Sequence, residues 1–334
     1  MVEEAWEAIN SLVNAFLRYF ASLHPGRWCL PLLYTLMSNH RSISILADNV
    51  AKSTSNQSKK ANQRLEECAR QLNKAFSACV ADRTTEEEES RKWGTYEVVG
   101  MVFRGYFRLK SLPLCRNILR ALTAADLPVL ERFPRAQRVT FKYYVGVLAF
   151  LGEEYGKAEA ELTEAFHNCH CHAVHNQQMI LQYLIPCRIL AGSLPSLALF
   201  ARFPSLSALY SPFVDAIRRG DVQAFDLALA TPALEKALVR NGTYLAIERA
   251  REVSLRGLLK LVYRCKDNNS RITIAQFHKA LSFVGVKVDL SETEWLVATQ
   301  IAKGYLRGYI SHAHMITVLS AKDPFPRLQT IAAS

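Results

Sequence analysis

Near its carboxy terminus the chain changes its hydrophobic period, and that change limits its architecture more than any other feature. Ile272 to Ile274 is a β-branched run of strand type, Ala275 to Val284 carries a helical period, and Ser291 is a candidate N-cap for a second helix. Glu292 and Glu294 stand in the first turn of that helix, where the macrodipole favours acid. Gly304 is placed to end it. Leu306 to Ser311 and Ile316 to Ser320 then read as two strands joined around His312 and His314. Strand, helix, helix, strand, strand is the order of a winged helix.

Everything before this module reads as helix. Met1 to Phe20 presents Trp6, Ile9, Val13, Phe16, Leu17 and Phe20 on one face, and Pro25-Gly26 ends it. A second helix spans Trp28 to Asn49, the polar run Lys52 to Lys60 reads as an exposed loop, and a third helix spans Ala61 to Val80 with Leu65, Cys68, Leu72, Ala75, Phe76 and Cys79 inward. Thr85 followed by Glu86 to Glu89 has the form of an acidic helix start, running through Trp93 to Phe107. Leu112 to Leu122 and Pro134 to Leu151 continue the pattern.

The clearest repeat unit is Arg138 to Cys169. Val139, Tyr143, Val147 and Phe150 face Tyr155, Ala158, Leu162, Ala165 and Phe166, and Gly146, Ala158 and Ala165 are small where two antiparallel helices must approach. Such hairpins bury their faces only by stacking on neighbours. Helices over 177–191, near Pro195, and over 212–220, 222–230 and 233–240 extend the array. Asn241-Gly242 breaks it before a long helix, Tyr244 to Lys266. Ile247, Ala250, Ser254, Leu258, Leu261 and Cys265 share one face of that helix, and Arg249, Arg256, Lys260 and Arg264 share another. The fold class expected is mainly α: a tetratricopeptide-like array capped by a winged helix, with boundaries at 1–135, 136–243, 244–326 and a tail at 327–334.

Half the residues are hydrophobic, which excludes wholesale disorder. The start Met1 to Trp6 is acidic, and the most apolar stretch, Leu181 to Phe203, is interrupted by Pro186, Arg188 and Pro195, so neither a secretory signal nor a membrane span is expected. Eight scattered cysteines fit reduced, buried thiols. The net charge of +11 is uneven: −1 over 1–90, +8 over 91–150, −3 over 151–239 and +7 over 240–334.

The cluster His167-Asn-Cys-His-Cys-His-Ala-Val-His175 is the one stretch that suggests a metal. Structural zinc sites gather ligands from separated pairs, and no second pair follows, so no metal or cofactor is expected. No phosphate-cradling loop, nucleophile elbow, H-E-x-x-H or dinucleotide turn is present, and Glu153, Glu154, Glu159, Glu161 and Glu164 lie at solvated helical spacings. No catalytic role is expected. Charge and fold together point instead to sequence-tolerant contact with RNA or duplex DNA, through Arg251, Arg256, Lys260, Arg264, Lys266, Arg271, Lys279, Lys303 and Arg307. The helix in the recognition position carries Glu292, Glu294 and Trp295 and almost no base-reading side chain, which argues against sequence-specific insertion.

Lys142-Tyr-Tyr-Val-Gly146, Tyr155-Gly-Lys-Ala-Glu159, Phe166-His-Asn-Cys-His170, Met179 to Pro186, Gly308-Tyr-Ile-Ser-His312 and Lys322-Asp-Pro-Phe-Pro326 together resemble the PCI-domain family that holds the nuclear messenger-RNA export subunit and its paralogue, COP-nine signalosome subunit twelve. Ser211 to Ile217 and Asn269 to Thr273 look nearer the subunit-twelve branch. The resemblance implies a non-catalytic scaffold of a nuclear complex, with the cytoplasm as a second compartment, coupling transcription to RNA processing and export. It implies a larger PCI partner pairing edge to edge with Leu306 to Ile310 and Ile316 to Leu319, with Leu306, Ile310, Ile316 and Val318 at the contact. It also implies a small, acidic, disordered protein of the proteasome-lid type anchored on Trp295, Tyr305 and Tyr309. The competing reading is a purely structural subunit of a signalosome-like or lid-like complex that binds no nucleic acid.

Overall fold

The computed structural model describes residues 2–54 and 62–331. Two compact units divide the chain, 1–144 and 145–334, and the boundary falls inside one helix.

The first unit holds α1 (Val2–Ser22), α2 (Leu30–Thr54), α3 (Gln63–Val80), α4 (Thr95–Arg108), α5 (Leu112–Ala124) and the start of α6 (Arg135–Leu151). The inward face expected of α3 is buried at all six positions, Leu65 to Cys79, packed between α2 and α4. The loop expected at Lys52 to Lys60 is in part helix, since α2 runs to Thr54; its remainder lies outside the described residues. The acidic run does not start a helix. Glu87–Glu89 forms a separate 3-10 turn, the chain extends at Ser90 (ψ 143°), and Ser90 caps a second short turn, Arg91–Gly94, by accepting from the Lys92 N–H.

The reason for that break is a buried ion pair. Asp82 accepts from Ser90 Oγ and the Arg91 N–H, both at 2.7 Å, and from Arg91 Nη2 at 2.9 Å. Arg91 also donates to the Phe20 carbonyl, and both charged residues are buried. A continuous helix from Thr85 could not aim Arg91 inward, and an unpaired buried carboxylate would cost far more than the lost helical turn.

The second unit continues α6 and adds α7 (Tyr155–Asn168), α8 (Val174–Leu190), α9 (Leu197–Arg202), α10 (Pro204–Arg219), α11 (Val222–Leu229), α12 (Pro232–Asn241) and α13 (Tyr244–Cys265). The α6–α7 approach is as tight as the small residues suggest: a Cβ on Gly146 would lie 2.6 Å from Leu162 Cγ. Helix α10 begins at Pro204, earlier than expected, and runs unbroken through Pro212. The early start is set by Pro204 in the first turn, where a missing N–H costs nothing.

The winged helix follows: β1 (Arg271–Thr273), α14 (Ile274–Phe283), α15 (Leu290–Ala302), β2 (Gly308–Ser311) and β3 (Ile316–Leu319), with a 3-10 turn at His312–His314 and a last short helix, α16 (Leu328–Ile331). Asp289, not Ser291, caps α15: its side chain accepts from the Glu292 N–H at 2.6 Å, and Glu292 answers by accepting from the Asp289 N–H at 2.9 Å. That reciprocal box satisfies two helix-end donors, which Ser291 alone could not do. The sheet is antiparallel in the order β1-β3-β2, with Arg271 and Tyr309 both opposite Val318. Its core joins Leu255, Leu258 and Leu259 of α13 to Ile272, Phe277, Leu281, Val297, Leu306, Leu319 and Phe325.

Candidate partner and nucleic-acid interface

Helix α13 carries the joint between the array and the winged helix. Ile247, Ala250, Ser254 and Leu258 are buried as their spacing predicts, but Leu261 is exposed and so is Cys265. The stripe ends there because the winged helix takes up Leu255, Leu258 and Leu259, with Val262 and Tyr263 at the margin, so the buried face rotates around the helix.

The nine basic residues expected to form one surface separate into groups. Arg256 is the clearest correction: it is 9% exposed, donates from Nε to the Tyr305 carbonyl at 3.2 Å and from Nη2 to the Pro326 carbonyl at 2.6 Å, and lies 5.8 Å from the Phe325 ring centroid. It clamps the segment Asp323 to Pro326 onto the module rather than facing outward. Arg251 is held by both Asp226 oxygens at 2.7 and 2.9 Å, and this bidentate bond holds its guanidinium above the usual range. Lys303 donates to Glu252 at 2.6 Å and Arg307 to Asp323 at 3.1 Å. The neutralising Asp226, Glu252 and Asp323 were not singled out by sequence reasoning. Glu252, next to Arg251 inside the basic run, was the one visible signal.

Arg264, Lys266 and Arg271 are exposed where α13 runs into β1, and Lys260 stands half-buried behind them. Burial lowers the Lys260 pKa, and Arg256 and Arg264 beside it add to the effect. The turn that brings Lys266 and Arg271 onto one loop needs left-handed backbone at Asp267 (φ 53°) and Asn268 (φ 60°), conformations that Asp and Asn tolerate best after glycine. Lys279 is exposed on α14. The amino end of α15 carries Asp289, Glu292 and Glu294, the last bonded to His312 Nδ1 at 2.8 Å. Carboxylates there repel a phosphate backbone from the helix N-terminus that would otherwise attract it.

The residues expected to meet protein partners also divide. Trp295 and Tyr309 are 66% and 63% exposed, and Ile310, Ile316 and Val318 are half-buried. Tyr305 and Leu306 are buried, a correction: Leu306 belongs to the winged-helix core with Phe277 and Val297, and the segment is fixed there by the Leu306 N–H on the Gln300 carbonyl and by Arg256 on the Tyr305 carbonyl. Strand β3 is paired on both sides and offers no edge. On the far side of β1, the Arg271 N–H is taken by Asn269 Oδ1 and the Thr273 N–H by Gln276 Oε1, so that edge is capped by its own side chains.

Strand β2 differs. The Ser320 N–H donates to the Arg307 carbonyl, which fixes alternate residues, Tyr309 and Ser311, as the ones bonded to β3. The backbone groups of Gly308 and Ile310 therefore point away from the sheet, and no partner for them is found among the described residues. Gly308 admits no side chain, since a Cβ would lie 2.3 Å from the Val318 carbonyl oxygen. Of the sheet's two sides, this edge is the one free to accept a strand.

In the His167 to His175 cluster Cys169 is buried and Cys171 exposed, His170 Nδ1 accepts from the His172 N–H at 3.2 Å, and the Arg202 guanidinium donates to the Cys171 carbonyl at 3.0 Å. These bonds are those of a helix end and its turn. No three-residue group able to hold a metal occurs among the described residues, and among them no helix is long and apolar enough to cross a membrane.

A stacked helical array closed by a winged helix with one open strand edge defines a class of helical-repeat scaffold modules. No protein-family model matches the chain. It is 54% identical over 347 residues to the Protein CSN12 homolog of Mycosarcoma maydis, covering 98% of this chain and 76% of that one. It is 36% identical to the Protein CSN12 homolog of Schizosaccharomyces pombe, covering 97% and 78%. It is 33% identical to PCI domain-containing protein 2 of Xenopus laevis, covering 98% and 80%. The chain belongs to the PCI-domain family of the CSN12 homologues and PCI domain-containing protein 2.

Proposed function

We propose that the chain is a non-catalytic scaffold subunit of a nuclear complex coupling transcription to messenger-RNA processing and export. In this reading the outer edge of β2 pairs with a strand of a larger PCI subunit. A small acidic, disordered protein docks on Trp295 and Tyr309, and RNA or duplex DNA lies against Arg264, Lys266 and Arg271. The observation that carries it is the open edge at Gly308 and Ile310, beside a sheet whose other edge is sealed. Backbone pairing there supplies affinity without requiring particular side chains, and the exposed cations supply the sequence-tolerant contact.

The test is charge reversal of Arg264, Lys266 and Arg271 together in the assembled complex, with nucleic-acid retention measured against salt. The reading expects the salt slope to fall by about 3, roughly one for each phosphate no longer neutralised. Unchanged retention would leave the purely structural scaffold. That second reading has its own support, since Arg251, Arg256, Lys303 and Arg307, four of the nine cations expected to meet nucleic acid, are already engaged within the chain.

A further inference from the structure

The first unit carries a groove that the winged-helix reading does not use. Pro25, Arg27, Trp28 and Pro31 line it together with Glu88 and Glu89, around a cavity of about 410 Å³. Trp28 is 69% exposed. A tryptophan left in water forgoes the burial that normally stabilises a fold, and its indole face remains open to a cation.

The neighbouring side chains show how this surface holds a cation. Trp93 donates from its ring nitrogen to the Glu87 carbonyl at 2.7 Å, the Arg132 guanidinium lies 5.0 Å from its ring centroid, and Arg132 pairs with the Glu87 carboxylate. Arg27 lies 5.2 Å from the same ring and donates to the Glu88 carbonyl. Indole, carboxylate and guanidinium thus form a complete set at Trp93. Next to it, Trp28 with Glu88 and Glu89 repeats the first two members. Among the described residues no guanidinium or ammonium stacks on Trp28, and none pairs with the carboxylates of Glu86, Glu88 or Glu89. Glu88 and Glu89 thus line the groove with unpaired carboxylates, while Arg27, the one cation in that lining, is turned to Trp93 and the Glu88 carbonyl.

We infer that this groove docks an extended, arginine-bearing segment of another protein, one guanidinium stacking on Trp28 and pairing with Glu88 or Glu89 while the segment's backbone runs between Pro25 and Pro31. Arginine fits better than lysine, because a planar guanidinium stacks on an indole and bonds a carboxylate at once. The site lies in the other unit from the winged helix, so its failure would leave the proposed function untouched.

The experiment titrates the full chain with capped Arg-Gly, Lys-Gly, Gln-Gly and Glu-Gly octapeptides at low salt, following tryptophan fluorescence and hydrogen exchange over 25–31 and 86–93. The Arg-Gly peptide is expected to bind and to protect both segments. Trp28→Ala should weaken it about five-fold, in line with a cation–π contact at an exposed site, and Trp28→Phe should recover part of the loss. Glu88→Gln with Glu89→Gln should weaken binding and flatten its salt dependence. The Lys-Gly peptide should bind less tightly and the Glu-Gly peptide not at all. Equal affinity for wild type, Trp28→Ala and the Glu88→Gln/Glu89→Gln double variant would overturn the proposal, as would equal binding of the uncharged Gln-Gly octapeptide. Self-association of the chain abolished by Trp28→Ala would assign the groove to a second copy and overturn it likewise.

Discussion

Replacing Arg256 with methionine separates a structural arginine from a ligand-binding one. The substitution removes two charge-assisted hydrogen bonds and leaves the Tyr305 and Pro326 carbonyls without their buried donor. An acceptor stranded in this way costs about 1–3 kcal/mol, and the missing cation over Phe325 adds about 0.5–1 kcal/mol. Against this stands the relief of desolvating a guanidinium, whose pKa burial already lowers. The balance is a loss of about 3 kcal/mol, read by urea unfolding of the purified chain, with earlier exchange of the segment around Phe325. Arg264→Met, at an exposed position further along the same face, should change stability by less than about 0.5 kcal/mol. If Arg256→Met were as stable as the wild type and bound nucleic acid less well, the clamp would be wrong and Arg256 would be a contact residue after all.

Asp82→Asn should destabilise the first unit by about 3–5 kcal/mol in denaturant unfolding, because the Arg91 charge stays buried without its partner. Burial alone would raise the Asp82 carboxyl; the hydrogen bonds from Ser90 and Arg91 outweigh it and hold the group at about 2. Its contribution is therefore full above about pH 4 and lost as the pH falls toward 2. His40 acts in a separate window. Fully buried, with neither ring nitrogen partnered among the described residues, it is pushed down to about 4 by burial, against a smaller opposing pull from Glu67. The unfolded chain takes up a proton below about pH 6.5 that the folded one refuses, so stability should fall by about 3 kcal/mol between there and pH 4. His40→Leu should flatten that part of the profile, and an unchanged slope would show that His40 is not responsible.

Much of the architecture could be read from hydrophobic period, because period reports which face is buried whatever buries it. The α3 face is such a case, buried at every expected position, and so is most of α7; in α6 the consecutive run Gly146 to Phe150 is buried, while Val139 and Tyr143 are half-buried. The errors arise where a long-range polar partner overrides a local pattern. Glu86 to Glu89 looks like a helix start until Asp82 draws Arg91 inward, and Ser291 looks like a cap until Asp289 and Glu292 close their box. The candidate interface was less legible for the same reason. Arg256 sits in a row of basic residues at helical spacing, and nothing local reveals that carbonyls brought in from Tyr305 and Pro326 meet it. The run Lys322 to Pro326 likewise gains its meaning only in the fold, where Phe325 packs 5.6 Å from Tyr263 and Asp323 takes Arg307. Which strand edge is open depended on sheet order, which puts β3 in the centre and takes from Ile316 to Leu319 the pairing surface expected of them.

Amide-resolved hydrogen exchange of β2, in the chain alone and in the complex recovered with its PCI partner, addresses the scaffold reading most directly. The amides of Gly308 and Ile310 should exchange freely in the isolated chain and become protected on assembly, while those of Arg271 and Thr273 on the sealed edge change little. Protection confined to β1, or exchange at Gly308 and Ile310 unaffected by the partner, would contradict it.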